Sequence, residues 1–284
     1  MATAHLSVLP EFEVSRLLDT DIVAVRNVRC IGTCRHRSAE ECASATSLVF
    51  PYRGVYMRHV GSDQAVADAN HVLFFNEGEG YQVSHPVQGG DECLDLAVSQ
   101  EILRELAPAS LLSKRESLGF LRQQQRIDPR AQALVAVLRH SLQNGTAEQL
   151  EAESLSLTLV CRSLGPRTSH ELRATHGRRR LVDRVKLVLA GDLSRRWTLA
   201  DIAKEIRGSP VYLTQVFQQV EGIPLYRYHL RLRLARALDL IPGYGDLSAL
   251  AIDLGFSSHS HFTATFKQAY GCSPSAFKQS TLSR

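Results

Sequence analysis

Between residues 20 and 100 the apolar positions fall in short runs rich in aromatic and β-branched residues, as in LVFPYRGVYMRHVG and NHVLFFNEGEGYQVSHP. Gly54, Gly61, Gly78, Gly80 and the Gly89–Gly90 pair punctuate them. Short strands between glycine turns predict an all-β sandwich or barrel. From Ser99 the period becomes helical. DPRAQALVAVLRHSL places Leu134, Val137, Leu138 and Leu142 on one face. Asn144-Gly145 ends that helix, and Thr146 with Gln149 reads as a capping box for TAEQLEAESLSLTLVCRSLG. Two apolar-faced helices joined by a short turn predict a helical hairpin that covers the β-domain or dimerises. The charge-dense stretch GPRTSHELRATHGRRR reads as a linker, and from Leu181 the chain is helical with frequent caps. The class is α+β. Residues 1–164 form the β-domain with its hairpin, 165–180 the linker, and 181–284 an all-α domain.

The last third repeats at a shift of 48 to 49 residues. Leu199, Ile202, Ala203 and Ile206 recur as Leu247, Leu250, Ala251 and Leu254; Leu213, Phe217 and Gly222 recur as Phe262, Phe266 and Gly271. Each unit is helix, turn, helix, glycine. Thr198 caps the first helix, Gly208 breaks it, Ser209 caps the next, and Pro210 stands where a missing N–H is harmless. In the second unit the corresponding residues are Asp246, Gly255, and Ser257 or Ser258. A small alanine lets the two helices cross closely. This is the helix-turn-helix pattern, whose second helix enters a major groove.

The core-facing stripes leave a defined set of outward residues. On the first reading helix these are Val211, Thr214, Gln215 and Gln218; on the second, His259, Ser260, His261, Thr263 and Ala264. Glutamine can bridge adenine N6 and N7, and threonine can meet a thymine methyl. His259 and His261 lie about 200° apart around a helix, so they do not share one ion as an i,i+4 pair would. Between the units, IPLYRYHLRLRLARALDLI carries a buried stripe of Leu230, Leu234, Ala237 and Leu238, with Arg227, Arg231, Arg233 and Arg236 supplying charge. As a helix this segment would be about 28 Å long, against roughly 34 Å for a DNA turn. One chain could thus hold two reading helices at successive major grooves.

Charge sharpens the picture. From Arg178 onward there are 16 Lys and Arg against 8 Asp and Glu, a net of +8; residues 1–177 carry 17 against 21, a net of −4. A basic final third points to a polyanion partner. No apolar run is long enough for a membrane span. The N-terminus lacks a secretory pattern, so a cytoplasmic protein is expected. The six cysteines, Cys30, Cys34, Cys42, Cys93, Cys161 and Cys272, are then expected as reduced thiols or metal ligands.

GFSSHSHFTATFKQAYGCSPSAFK and the preceding RLRLARALDLI strongly resemble the DNA-binding domain of AraC/XylS-type bacterial transcription regulators. The resemblance covers about residues 181 to 280, with the arginine-rich helix, G-F-S-S, F-x-x-x-F-K and G-x-S-P in the family's order. It implies that the outward residues above read DNA, although family members often carry a basic residue at the places of Gln215 and Ala264. It also implies an N-terminal cupin-like sensing domain, in accord with the β pattern.

CIGTCRHRSAEEC gathers Cys30, Cys34, His36 and Cys42 within 13 residues. Thiolate and imidazole at short spacing suit Zn2+, though the spacing is not that of a zinc ribbon. Buried reduced thiols and an organic effector inside the barrel are the alternatives. His71 and His85 flank the strand pair, but the H-x-H…Glu pattern of cupin metal centres is absent, as are G-x-S-x-G, a phosphate loop and H-E-x-x-H. A bacterial DNA-repair methyl acceptor couples a four-cysteine zinc domain to the same DNA-binding module. Cys30 and Cys34 resemble its first ligand pair, but the second pair is missing. The expected function is therefore a non-enzymatic, sequence-specific transcription regulator acting on double-stranded promoter DNA. It would form a homodimer through residues 128–164 and respond to a small-molecule, metal or redox effector, with RNA polymerase a further partner and no membrane involved. Lys and Arg side chains and helix N-termini would hold the phosphates.

Overall fold

The computed structural model describes residues 12–32, 35–113, 118–165 and 175–282. The first part is built from strands β1 (Phe12–Asp19), β2 (Val23–Cys30), β3 (Glu41–Cys42), β4 (Ser47–Gly54), β5 (Tyr56–Val60), β6 (Asp63–Ala67), β7 (His71–Phe75), β8 (Gly80–Ser84) and β9 (Asp91–Val98). Helix α1 (Gln100–Leu106) and strand β10 (Gln124–Arg126) follow. The strands pair antiparallel in two sheets, ordered β1-β2-β9-β4-β7-β10 and β3-β8-β5-β6.

Strand alternation gives the large sheet two different faces. Val23, Val25, Leu48, Phe50, Val72, Phe74, Leu94 and Leu96 form one core with the helical hairpin, α2 (Pro129–Gln143) and α3 (Gln149–Leu164). The intervening residues Val49, Leu73, Phe75 and Cys93 pack with Tyr56, Ala67, Tyr81 and Val83 of the small sheet. The hairpin thus covers the β-domain, as its apolar faces predict. Helix α2 is buried on more than the expected face. Ala131, Val135 and Leu138 meet the sheet, while Ala133, Ala136 and Val137 join the core of the C-terminal half. A helix clasped on both sides has no clean polar face. The capping box expected from Thr146 and Gln149 does not form. Glu148 is the N-cap without a side-chain bond, and the Thr146 hydroxyl donates to the Ser141 carbonyl at 3.3 Å.

The C-terminal half contains α4 (His176–Gly191), α5 (Leu199–Ile206), α6 (Pro210–Glu221), α7 (Leu225–Leu240), a 3-10 turn (Ile241–Gly243), α8 (Leu247–Asp253), α9 (His259–Tyr270) and α10 (Pro274–Leu282). Helix α4 starts inside the stretch expected as linker, with Arg178, Arg179 and Arg180 exposed on its first turns. The rest of that stretch lies mostly outside the described residues. Helix α7 belongs to two cores. Leu225, Tyr228 and Leu232 pack with α4, α5 and α6; Leu234, Ala237 and Leu238 pack with α8, α9 and α10. Ala203 and Ala251 are buried at the equivalent close crossings. No helix among the described residues is long and apolar enough to cross a membrane.

The two turns differ by one residue. In the second unit Gly255 takes the left-handed conformation (φ +79°), and the following N–H, of Phe256, bonds the Ala251 carbonyl. In the first unit Arg207, not Gly208, is left-handed (φ 54°), and the Gly208 N–H bonds the Ala203 carbonyl. A left-handed non-glycine residue is disfavoured by about 1–2 kcal/mol. Glycine gives part of that back through chain entropy. Arg207→Gly is therefore expected to stabilise the fold by about 0.5–1 kcal/mol in denaturant unfolding. Gly255→Ala is expected to destabilise it by about 2 kcal/mol or more, because its Cβ would also collide with the Ser194 carbonyl oxygen.

Candidate nucleic-acid interface

Each helix-turn-helix unit is fixed by caps at its entry and by an aromatic anchor beneath it. In the first, Thr198 and Asp201 form a reciprocal capping box at the start of α5, each side chain accepting the other's backbone N–H at 3.1 Å. Pro210 occupies the first turn of α6, whose N-cap Ser209 makes no side-chain bond, so its capping is weaker than its identity suggests. Leu213, Val216 and Phe217 are buried. Val211, Gln215 and Gln218 are exposed, together with Tyr212 and Gln219, which the periodicity did not single out. Thr214 is half-buried, and its hydroxyl donates to the Pro210 carbonyl at 2.9 Å, which leaves the methyl as its free contact group.

In the second unit Asp246 caps α8, accepting from Ser248 N at 2.8 Å, and Ser258 caps α9, accepting from His261 N at 3.1 Å. Phe262 and Phe266 are buried. His259, Ser260, His261 and Ala264 are exposed and Thr263 is half-buried. The His261 ring is held in place by Ser257, 3.0 Å from Nδ1, and by an edge contact with Phe256. His259 Nε2 lies 3.4 Å from the Thr263 hydroxyl. The two histidines bond to different residues and do not converge on one point.

The arginines of α7 divide their work. Arg227 is exposed. Arg233 is structural: its guanidinium donates to the carbonyls of Leu193, Ser194 and Arg195 and, at 3.0 Å, to that of Gly255. It ties the entry of the first unit to the turn of the second. Arg236 pairs with Asp239, which also binds Arg53 of β4 and Arg139 of α2. Helix α7 itself is 16 residues long, about 24 Å at 1.5 Å per residue.

A second buried cluster joins the β-domain to α6. Lys186 of α4, 1 % exposed, contacts Glu221 at 2.6 Å. Glu221 is the last residue of α6 and lies 3.4 Å from His71 of β7. The other His71 nitrogen meets Asp68 at 2.9 Å, and Asp68 accepts from the Tyr228 hydroxyl. Burial opposes the charge on Glu221, but Lys186 and His71 outweigh it and hold the carboxyl well below its ordinary range. Burial and Lys186 pull the His71 imidazole down; Asp68 and Glu221 outweigh them and hold it above its ordinary value.

Three of the four residues expected to bind zinc, Cys30, His36 and Cys42, lie among the described residues. Cys34 lies outside the described residues. His36 and Cys42 are exposed, and neither joins Cys30 in a group of ligand atoms. Sequence reasoning also missed the structural roles of Arg233 and Lys186. The neighbouring residues that engage them are far away in the chain.

The family profile described as a helix-turn-helix domain matches residues 202–280. An uncharacterized HTH-type transcriptional regulator, YidL of Escherichia coli K12, is 33% identical over 104 residues, covering 36% of this chain and 35% of the relative. The HTH-type transcriptional regulator GadX of E. coli is 33% identical over 97 residues, covering 34% of this chain and 35% of the relative. A solved DNA-binding transcriptional dual regulator from E. coli K-12 is 30% identical, with a TM-score of 0.35, over 37% of this chain and 94% of that one. The chain spans about a third of the length of these curated relatives.

The buried histidines give stability a two-sided pH dependence. His71 is held above its ordinary value, so its contribution is complete below about pH 6.5. That contribution fades as pH rises through the raised folded value. His140 and His229 are lowered to about 4 by burial, aided by Arg139 and Arg233 respectively. Their contribution is complete above about pH 6.5 and is lost as pH falls from there toward the lowered folded value of about 4. Denaturant unfolding across this range is expected to show His71→Gln flattening the alkaline limb. His140→Gln and His229→Gln are expected to flatten the acid limb.

Proposed function

We propose that this chain, whose C-terminal domain is of the AraC/XylS type, is a sequence-specific DNA-binding transcription regulator that reads two successive major grooves with α6 and α9. The supporting observation is the pairing of two helix-turn-helix units on one continuous helix, braced by Arg233. Val211, Thr214, Gln215 and Gln218 present the first reading surface, and His259, Ser260, His261, Thr263 and Ala264 the second. Gln215 suits an adenine; Val211 and the Thr214 methyl suit thymine methyls. Arg207 takes a conformation that glycine would adopt more easily, two residues before the N-cap of α6. Retaining an arginine there fits a phosphate contact at the groove edge.

The β-domain is read as the sensor and the protein as cytoplasmic, with no enzymatic step. The relatives are transcription regulators, and no observation favours the methyl-acceptor reading. Because Glu221 ends α6 inside the Lys186–His71 cluster, any rearrangement of β7 would be felt by the reading helix. Within the hairpin, α2 is already occupied by the C-terminal core, so homodimerisation falls to α3, whose Leu150, Ser154, Thr158 and Cys161 are exposed. Promoter DNA, an effector and RNA polymerase complete the expected partners.

Selection of preferred sites from random duplexes tests the reading. Gln215→Ala is expected to relax preference at one base position, by about 1–3 kcal/mol against the best site. Arg207→Gly is expected to weaken binding to all sequences alike and to lower the salt slope by about one. Unchanged base preference in Gln215→Ala would remove that residue from the reading surface. Failure of the unmodified chain to select any site would overturn the function.

A further inference from the structure

The interior of the β-domain holds a polar cluster that the DNA-binding reading does not use. Cys30 ends β2 and stands directly opposite Asp91, the first residue of β9, in the antiparallel register. Alternation turns both away from the hairpin-covered face, since Val25 and Leu94 at the opposite parity lie in that core. His85 follows β8 and reaches the same point, with Nε2 2.6 Å from Asp91 Oδ2. One ligand atom from each of Cys30, His85 and Asp91 lies within 4.8 Å of the others, the one such Cys/His/acid group among the described residues. His85 and Asp91 are buried, and Cys30 is half-buried.

The backbone is built to bring these three side chains together. Gly90, in the left-handed conformation (φ +67°), lies so close to the end of β2 that a Cβ there would collide with the Cys30 carbonyl. A Cβ on Gly32 would in turn clash with Gly90 Cα. The chain entering β9 is thereby pressed against the chain leaving β2. Cys93, two residues along and on the same face, places Sγ 3.4 Å from Asp91 Oδ1. Both Asp91 oxygens are thus oriented, one by His85 and one by Cys93. The cluster opens onto a cavity of about 390 Å³ whose wall also carries Cys42, Tyr56 and Phe75. That cavity supplies an entry path and room for a further ligand.

We propose that Cys30, His85 and Asp91 form a binding site for a thiophilic divalent cation of the zinc type. Thiolate, imidazole and carboxylate suit zinc or cobalt and disfavour magnesium and calcium, which take all-oxygen sites. With metal–ligand lengths of about 2.0–2.3 Å, a tetrahedral ion separates its ligands by roughly 3.3–3.8 Å. The three atoms reach that spacing with small side-chain shifts, including the opening of the His85–Asp91 hydrogen bond. Cys30 binds as thiolate and its proton passes to solvent. Three protein ligands leave a fourth position facing the cavity. Cys93 acts from outside the ligand set by holding Asp91. The proposal keeps Cys30 from the sequence-derived zinc set and replaces the rest.

The test is Co2+ titration of the full chain, reduced and stripped of metal, read by absorbance in the absence of DNA. The expected result is a thiolate-to-cobalt charge-transfer band with the visible bands of a four-coordinate ion, all abolished by an equimolar amount of Zn2+. Cys30→Ser is expected to remove the charge-transfer band. His85→Ala and Asp91→Asn are expected to weaken binding at least tenfold, and Cys93→Ser by about tenfold. His36→Ala and Cys42→Ser are expected to leave the spectrum in place. Circular dichroism checks that each variant is folded. If Asp91→Asn is not, the half-exposed Cys30→Ser and His85→Ala decide the matter. No band, a band that survives Cys30→Ser, or a band lost only in His36→Ala and Cys42→Ser would overturn the proposal. None of these outcomes depends on whether the chain binds DNA.

Discussion

The arrangement of the molecule hangs on a lysine taken out of water. Removing an ammonium group from solvent is penalised by several kcal/mol unless its charge is met, and Lys186 is almost wholly buried. Glu221 meets it directly, and Asp183 and Asp68 add to the field that keeps it charged. Those partners come from α4, from the end of α6 and from the segment before β7. No one of them is at ease without the others. The cluster therefore fixes where the first helix-turn-helix unit sits on the β-domain, and it does so through the last residue of α6.

A second constraint acts at the other end of the same half. Asp239, near the end of α7, gathers Arg53, Arg139 and Arg236. Arg139 also lies over the Tyr52 ring, 4.0 Å from its centroid. With Ala136 of α2 embedded in the core around Phe262 and Phe266, the hairpin serves as a wall of both halves. Between these anchors, α7 and Arg233 keep α6 and α9 in one relation to each other. The exposed residues of α6 and α9 thus rest on a frame set by buried charge and by one shared helix.

The β-domain has an interior of a different character from that frame. Its hairpin-facing side is apolar, whereas the layer between the two sheets holds Arg58 of β5, which lies over the Phe75 ring and binds Glu79. The Cys30–His85–Asp91 group lies in the same interior. Polar groups placed among aromatic walls and opening onto a cavity are what a selective ligand site needs.

Much of this was legible in the sequence, because its signals are local. The short aromatic and β-branched runs between glycines marked the strands, and the repeat from Leu199 to Gly271 marked both helix-turn-helix units. The caps at Thr198, Asp246 and Ser258 fell where the residue types placed them. The outward residues of α6 and α9 followed from the buried stripes of Leu213, Phe217, Phe262 and Phe266. Local chemistry also misled where two readings were equally cheap: Gly208 was the natural breaker, yet Arg207 took the left-handed turn, and Thr146 found the Ser141 carbonyl in place of a cap. What the chain alone could not reveal was who meets whom across long separations. Lys186 finds Glu221 and His71, Arg233 finds Gly255, and Cys30 comes close to His85 and Asp91. Sequence patterns record periodicity within an element. The partner of a buried charge is decided only when strand register and helix packing bring distant residues within a few ångströms of each other.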